Sequence, residues 1–362
     1  MYKITYPKKD ATIYEKYPTL NSGIDQIIEL TKFAIGEQVD DVVDEYATWE
    51  KIYNSRILIQ FDVTGLNSNA EHYLNLKTTE TLSIPTDYTL YAYPLAEPWK
   101  NGNGNYHDRP IITNGASWQF RSNYNEQDEW NESSGSMLWA SVTGGGSWNS
   151  DYECTQSFSN DNADVLINIT PIINAWIEND IPNYGLILKH SAAGELNNDI
   201  FGSIKFFGRE SHTIYIPKLQ SYWNPNADYT GPFTGSADIE DDYVIYFKNL
   251  QDTYRVDETS KVRLGVRDVY PEQSYDRNYN QITQKKLPET TYYSIIDHVT
   301  KTPFVEFNTI GTKIQTDDNG HFFELDTSNF LPERYYSIIF KIERDGSSNI
   351  YRNSNFSFRV TR

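Results

Sequence analysis

A single cysteine, Cys154, rules out an intrachain disulfide in this 362-residue chain, and a β-rich protein without disulfide pairs is expected to fold in a reducing cytosol. No run approaches the roughly 18 apolar residues of a membrane helix, so no membrane insertion is expected. The opening stretch "MYKITYPKKD" has no apolar core of the kind a secretory leader needs, and export by that route is not expected either. Basic residues are outnumbered 31 to 50, which leaves a net charge of -19 and no concentrated basic patch. Such a field repels phosphate, and nucleic acid is not an expected partner. Alanine and leucine are sparse and long runs of helical period are missing, which argues against a helical protein.

What is present points to sheets. Hydrophobic residues make up 38% of the chain, yet aromatics reach 15%, with 28 tyrosines; an interior built on aromatic and β-branched side chains favours strands. Short apolar alternations recur between clusters of Asn, Asp, Ser and Gly. A strand is expected at about Gln26 to Phe33. In "SRILIQFDVTGL", Ile57, Ile59 and Phe61 fall on one face and Leu58 and Gln60 on the other. Between them "AIGEQVDDVVDEYATWEKIY" is acidic, and Val39, Val42, Val43 and Tyr46 have helix-like spacing; it reads as a weakly helical insertion or lid near 34–54.

From Trp99 to Trp148 the chain is Gly- and Asn-rich and carries five of the eight tryptophans. Such loop-dominated sequence places its tryptophans either as a plug on the sandwich or against a ligand. Next, Val165, Ile167 and Ile169 alternate as a strand, Thr170 is expected to cap a short helix with Pro171 as its first residue, and Ile172, Ala175 and Trp176 share one helical face. "IKFFGRESHTIYIPKLQSYW" reads as two closing strands. The stretch 224–242, rich in Asn, Asp, Gly and Pro, reads as a linker. Beyond it, about seven short strands with turn signals such as "DNG" and "RDG" match the pattern of an immunoglobulin-like β-sandwich over 243–362. The expected fold class is thus all-β, in two domains, 1–223 and 243–362.

Several motifs of the first domain resemble, in order, those of the DNRLRE family, a β-sandwich (jelly-roll) module related to carbohydrate-binding modules and found in adhesins, cell-wall proteins and phage proteins. The stretches are "DATIYEKYPTLNSG", "SRILIQFDVTGL", "PWKNGNGN", "ITNGASW", "GGGSW" and "INITPIINAWIENDIPNYGLILK". The resemblance implies that Trp118 and Trp176 pack the core. It also implies that Arg56 lies against the sheet with its guanidinium satisfied by carbonyls or a carboxylate, as buried charges must be. The acidic insert is longer than the family usually has. "KVRLGVRDVYPEQSY", "LPETTYYSIIDHVTKTPFVEFN", "DDNGHFFELDTSNFLPERYYSIIFKI" and "FSFRVTR" are similar to the end regions of structural proteins of large contractile-tailed phages. That resemblance implies a virion protein of the tail, neck or baseplate periphery, assembled in the host cytoplasm and docked on other virion proteins in multiple symmetric copies.

The histidines His72, His107, His190, His212, His298 and His321 are scattered and form no metal or nucleophile motif. The acid pairs Asp40 with Asp41, Asp44 with Glu45, and Asp241 with Asp242 are not aimed at one cleft, as glycosidase carboxylates must be. No catalytic residue and no cofactor is therefore expected, calcium being considered only at "DNADVLIN". The alternative to docking is recognition of a host surface glycan, with Trp130, Trp139, Trp148 and Tyr106 as the candidate stacking platform.

Overall fold

The computed structural model describes residues 1–38, 48–124, 126–131, 144–159, 163–224, 243–270, 284–344 and 346–362. They form twenty-three strands and two short α-helices, an all-β protein as the composition requires. Two compact units are present, Ile4–Gln220 and Ser221–Arg362, the latter with Met1–Lys3. The expected linker lies almost wholly outside the described residues.

In chain order the first elements are β1 (Tyr2–Thr5), β2 (Pro7–Tyr14), β3 (Ile27–Gln38), β4 (Thr48–Phe61), β5 (Glu71–Leu76), β6 (Thr78–Leu82), β7 (Asp87–Pro94), β8 (Phe120–Asn123), β9 (Gln127–Glu129), β10 (Cys154–Ser159) and β11 (Val165–Asn168). Then follow α1 (Thr170–Ile177), β12 (Leu186–His190), α2 (Ala192–Leu196), β13 (Gly202–Phe207) and β14 (Lys218–Tyr222). One sheet runs β1-β14-β5-β11; the larger runs β10-β7-β12-β4-β3-β13-β6, with β2 also paired to β4, and β8 and β9 form a hairpin. Strand β4 is long enough to serve three partners: Asn54 and earlier residues pair with β3, Ser55 to Phe61 with β2, and Ile57 to Ile59 with β12.

Alternation along β4 sends its side chains into two cores. Ile57, Ile59 and Phe61 meet Leu90, Leu186, Leu188, Ile204 and Phe206 of neighbouring strands and Leu74, Leu76, Val165 and Ile167 of the facing sheet. Helix α1 closes this core with Ile172, Ile173 and Trp176. On the other face, Leu58 joins Ala11, Ile13, Ile187, Tyr93 and Leu95 beneath Trp99, Trp118, Trp130 and Trp148. The large sheet is therefore covered on both faces, which is why "RILIQF" is nearly continuous in apolar residues.

Two local expectations are corrected. Thr170 does not cap α1: its hydroxyl accepts the His72 N–H at 2.8 Å, and the helix start has no side-chain cap. The competing acceptor role, tying α1 to β5, wins over the local one. The acidic insert is not flanked by helix: Lys32 to Gln38 pair antiparallel with Asn54 to Thr48. Extending an existing ladder satisfies each backbone group without a new helix nucleus. Val39, Val42, Val43 and Tyr46 lie outside the described residues.

The second unit contains β15 (Tyr243–Phe247), β16 (Thr253–Arg255), β17 (Thr259–Asp268), β18 (Thr291–Asp297), β19 (Pro303–Val305), β20 (Gln315–Asp317), β21 (Gly320–Asp326), β22 (Arg334–Arg344) and β23 (Ser347–Thr361). They make two sheets, β15-β17-β21-β20 and β16-β23-β22-β18-β19. The hydroxyl of Tyr336, early in β22, accepts the backbone N–H of Leu331 at 3.0 Å. That bond ties the start of β22 to the turn that precedes it. Phe304, Phe330, Tyr336 and Phe358 fill the interior with rings 4.6 to 6.0 Å apart.

Candidate functional site

Strand β3 places Ile28 and Leu30 in the core and turns Ile27, Glu29, Thr31 and Phe33 outward; β13 does the same with Ile204 and Phe206 inside and Ser203 and Lys205 outside. These outward residues, with Tyr53 of β4 and Leu82 of β6, floor an open cleft of about 550 Å³. Its wall is built from Tyr14, Lys16 and Tyr17 at the end of β2 and from Asn105, Tyr106 and His107 of a distant loop.

The loop is held by an interlock of three motifs that are far apart in sequence. Asn21, fully buried, donates its amide to the carbonyls of Asn101 (2.7 Å) and Ala116 (2.9 Å) and accepts the N–H of Gly104 (2.9 Å). Asn101 returns a bond to the carbonyl of Gly23 at 2.6 Å. A Cβ on Gly23 would lie 2.0 Å from the Asn101 carbonyl oxygen, so only glycine permits this approach. The turns "NSG", "NGNG" and "NGAS" thus form one polar knot.

Beyond the knot, both oxygens of Asp25 accept the backbone N–H of Tyr106, at 3.1 and 3.2 Å. The Tyr106 ring then sits 4.9 Å from Tyr14 and 5.8 Å edge-on from Tyr17. Tyr14 donates its hydroxyl to Glu29 at 2.9 Å. Burial pushes the Asp25 carboxyl up to about 6, with the Tyr106 N–H pulling the other way. Burial also raises Glu29, partly offset by the Tyr14 hydroxyl. Lys205 is drawn to Glu80, its Nζ 2.8 Å from the carboxylate. Lys16 lies 5.4 Å over the Tyr17 ring. The cleft offers ring faces for apolar contact beside acceptors and donors for hydroxyl groups.

The other expected contact residues are elsewhere. Trp130 and Trp148 are only 4% and 7% exposed, inside the cluster with Trp118; the Trp130 indole N–H donates to the Ser117 carbonyl at 2.9 Å. As a stacking platform they are corrected: the Gly-rich loops fold back on the outer face of the sheet, where apolar area is removed from water. Trp139 lies outside the described residues. Of the three that are described, Tyr106 alone lines the cleft. The residues missed were Tyr14, Tyr17, Asp25 and Glu29; the alternation of "QIIELTKF", with Glu and Thr opposite Ile and Leu, was the signal for Glu29.

Arg56 forms a closed ion cluster. Its guanidinium donates to both carboxylate oxygens of Glu195, at 3.0 and 2.8 Å, and to the Gly145 carbonyl at 2.5 Å. Lys189, beside it on β12, reaches the same carboxylate at 2.8 Å. All three side chains are at most 3% exposed. Arg56 stacks 4.7 Å from Trp118 and 5.1 Å from Trp148. Burial alone would raise the Glu195 carboxyl; the two cations outweigh it and hold it below the usual range. Gly145 has φ +88°, and a Cβ there would meet the guanidinium at 2.4 Å. Trp118 and Trp176 are 2% and 4% exposed, each in its own core.

Among the described residues no three His, Cys, Asp or Glu side chains gather as a metal site. Asp164, from "DNADVLIN", accepts from Lys77 and the Thr78 N–H. The acid pairs at 40–45 and 241–242 lie outside the described residues.

No family model matches the chain, and no curated protein sequence matches it. Among solved structures, the adhesin domain of Epf from Streptococcus pyogenes is 9% identical, covering 99% of this chain and 98% of that one, with a TM-score of 0.18. A β-glucuronidase from Parabacteroides merdae is 8% identical over 96% of this chain and 35% of the enzyme, with a TM-score of 0.17. At those scores neither likeness bears on fold or function.

Proposed function

We propose that this is a non-enzymatic binding protein whose Ile4–Gln220 unit holds a carbohydrate in the tyrosine-lined cleft. The observation that supports it is the joining of Tyr14, Tyr17 and Tyr106 with Glu29, Thr31 and Lys205 around one open cavity. Sugar rings bury their C–H faces on aromatic rings while their hydroxyls bond to polar side chains. Binding rather than turnover is favoured by the roles of the two acids: Asp25 spends both oxygens on the Tyr106 backbone, and Glu29 carries the Tyr14 hydroxyl. The test is retention on immobilised oligosaccharides. Tyr106→Ala is expected to lose retention at least tenfold with an unchanged unfolding midpoint. Failure of the native protein to be retained on any glycan, or equal retention of the variant, overturns the reading.

A second reading, docking within a tailed-phage particle, rests on the sequence resemblance of the C-terminal unit. It is favoured by adjacent exposed apolar side chains there: Val299 is 80% and Tyr335 52% exposed, and the N–H of His298 bonds the Tyr335 carbonyl at 2.9 Å. Repeated copies on a symmetric particle would convert weak contacts of this kind into firm attachment. Mass spectrometry of purified particles tests it: a fixed ratio to a major structural protein supports docking, and recovery only as free protein removes it.

A further inference from the structure

We infer, building on the carbohydrate reading, that the cleft selects uncharged sugars and rejects acidic ones, with Glu29 as the discriminating residue. The charged groups lining the cavity are Lys16, Asp25, Glu29, His107 and Lys205. Lys205 is matched by Glu80 at 2.8 Å, outside the floor. Lys16 is exposed at the rim, where water screens it. Asp25 and Glu29 are the two acids of the cavity; His107 acts on both and Lys205 on Glu29 from a distance, but neither acid has a side-chain cation within ion-pair distance among the described residues. Each bonds only to a neutral donor, a backbone N–H and a phenol.

A carboxylate so placed is a good acceptor for a sugar hydroxyl. It is a poor neighbour for a second carboxylate, because two like charges a few ångströms apart in a partly desolvated cleft repel each other. The tyrosine faces add no compensation, since the ring quadrupole is negative on its face and disfavours an anion lying over it. The chain's net charge of -19 acts in the same direction at longer range. A ligand with hydroxyls and a C–H face fits every one of these groups, and one bearing a uronate or sialic acid carboxylate at the floor opposes most of them.

The test compares binding of the full chain to neutral oligosaccharides ending in glucose, galactose or mannose with binding to the same cores ending in glucuronic or sialic acid, at pH 7.5 and low salt. The neutral set is expected to bind at least tenfold tighter. Glu29→Gln, which keeps an acceptor for the Tyr14 hydroxyl, is expected to shrink that ratio severalfold. Asp62→Asn, which removes one exposed carboxylate that does not line the cleft, serves as a second variant and is expected to keep the ratio. Equal or tighter binding of the acidic set, abolished by Tyr106→Ala, overturns the selectivity and leaves the carbohydrate reading standing. No retention of either set overturns both.

Discussion

Asp25 holds Tyr106 by its backbone, the two carboxylate oxygens 3.1 and 3.2 Å from one N–H across 81 positions of sequence. The cleft wall therefore depends on an acid that never needs to touch the ligand. Asp25→Ala is expected to loosen the 105–108 loop and weaken ligand retention more than stability, the latter falling by about 1 to 2 kcal/mol for a charge-assisted bond at a part-buried site. Hydrogen exchange at the Tyr106 amide checks this: protection should drop there and persist in β4.

Glu195 is the sole carboxylate of the Arg56 and Lys189 cluster among the described residues. Glu195→Ala leaves two buried cations facing each other and is expected to cost about 3 to 5 kcal/mol, as removal of one partner from a buried pair does. Arg56→Met leaves the Lys189–Glu195 pair intact and should cost less. Denaturant midpoints of the two variants give the order; equal or reversed losses would show that the pairing is not what holds the site.

Trp148 and Trp130 distinguish a packing role from a contact role. Replacing either with alanine opens a cavity in the outer core and is expected to destabilise the fold by about 3 to 5 kcal/mol. A variant that unfolds at the native midpoint yet has lost glycan retention would restore these tryptophans as ligand contacts.

Asp10 gives the stability a pH dependence. It is 2% exposed, accepts the Arg209 N–H at 2.6 Å, and is pushed by burial from 3.8 up to about 7. A carboxyl whose folded value exceeds its unfolded one contributes stability that is complete below about pH 4 and lost as pH rises through about 7. His72, His190 and His321, lowered by burial to about 4, act oppositely, losing their contribution as pH falls below 6.5. Asp10→Asn isolates the first effect. Its stability relative to the native protein should rise between pH 5 and 8 by about 2 to 4 kcal/mol, measured by urea midpoints across that range.

Much of the architecture is written locally. The alternation of Ile57, Ile59 and Phe61, the strand at Ile28 and Leu30, and the face of α1 bearing Trp176 follow from the two-residue and 3.6-residue periods, which any short window carries. The Asn-Gly turns are legible as turns for the same reason. What they do is not: Asn21 matters because Asn101 and Ala116 come to it from 80 and 95 positions away, and no periodic pattern records such a meeting.

The chain by itself determined an all-β protein without disulfides, strongly acidic, with an arginine on a central strand that required a partner. Tertiary structure alone chose that partner, Glu195, 139 positions distant, and decided which aromatic residues meet solvent. A loop of no period carries no pattern that says which of its aromatic rings is buried, and only the folded surface distinguishes a ring that covers the sheet, as Trp148 does, from one held at the rim of a cleft, as Tyr106 is. Burial depends on what the rest of the chain brings to a position, and that is a property of the whole fold.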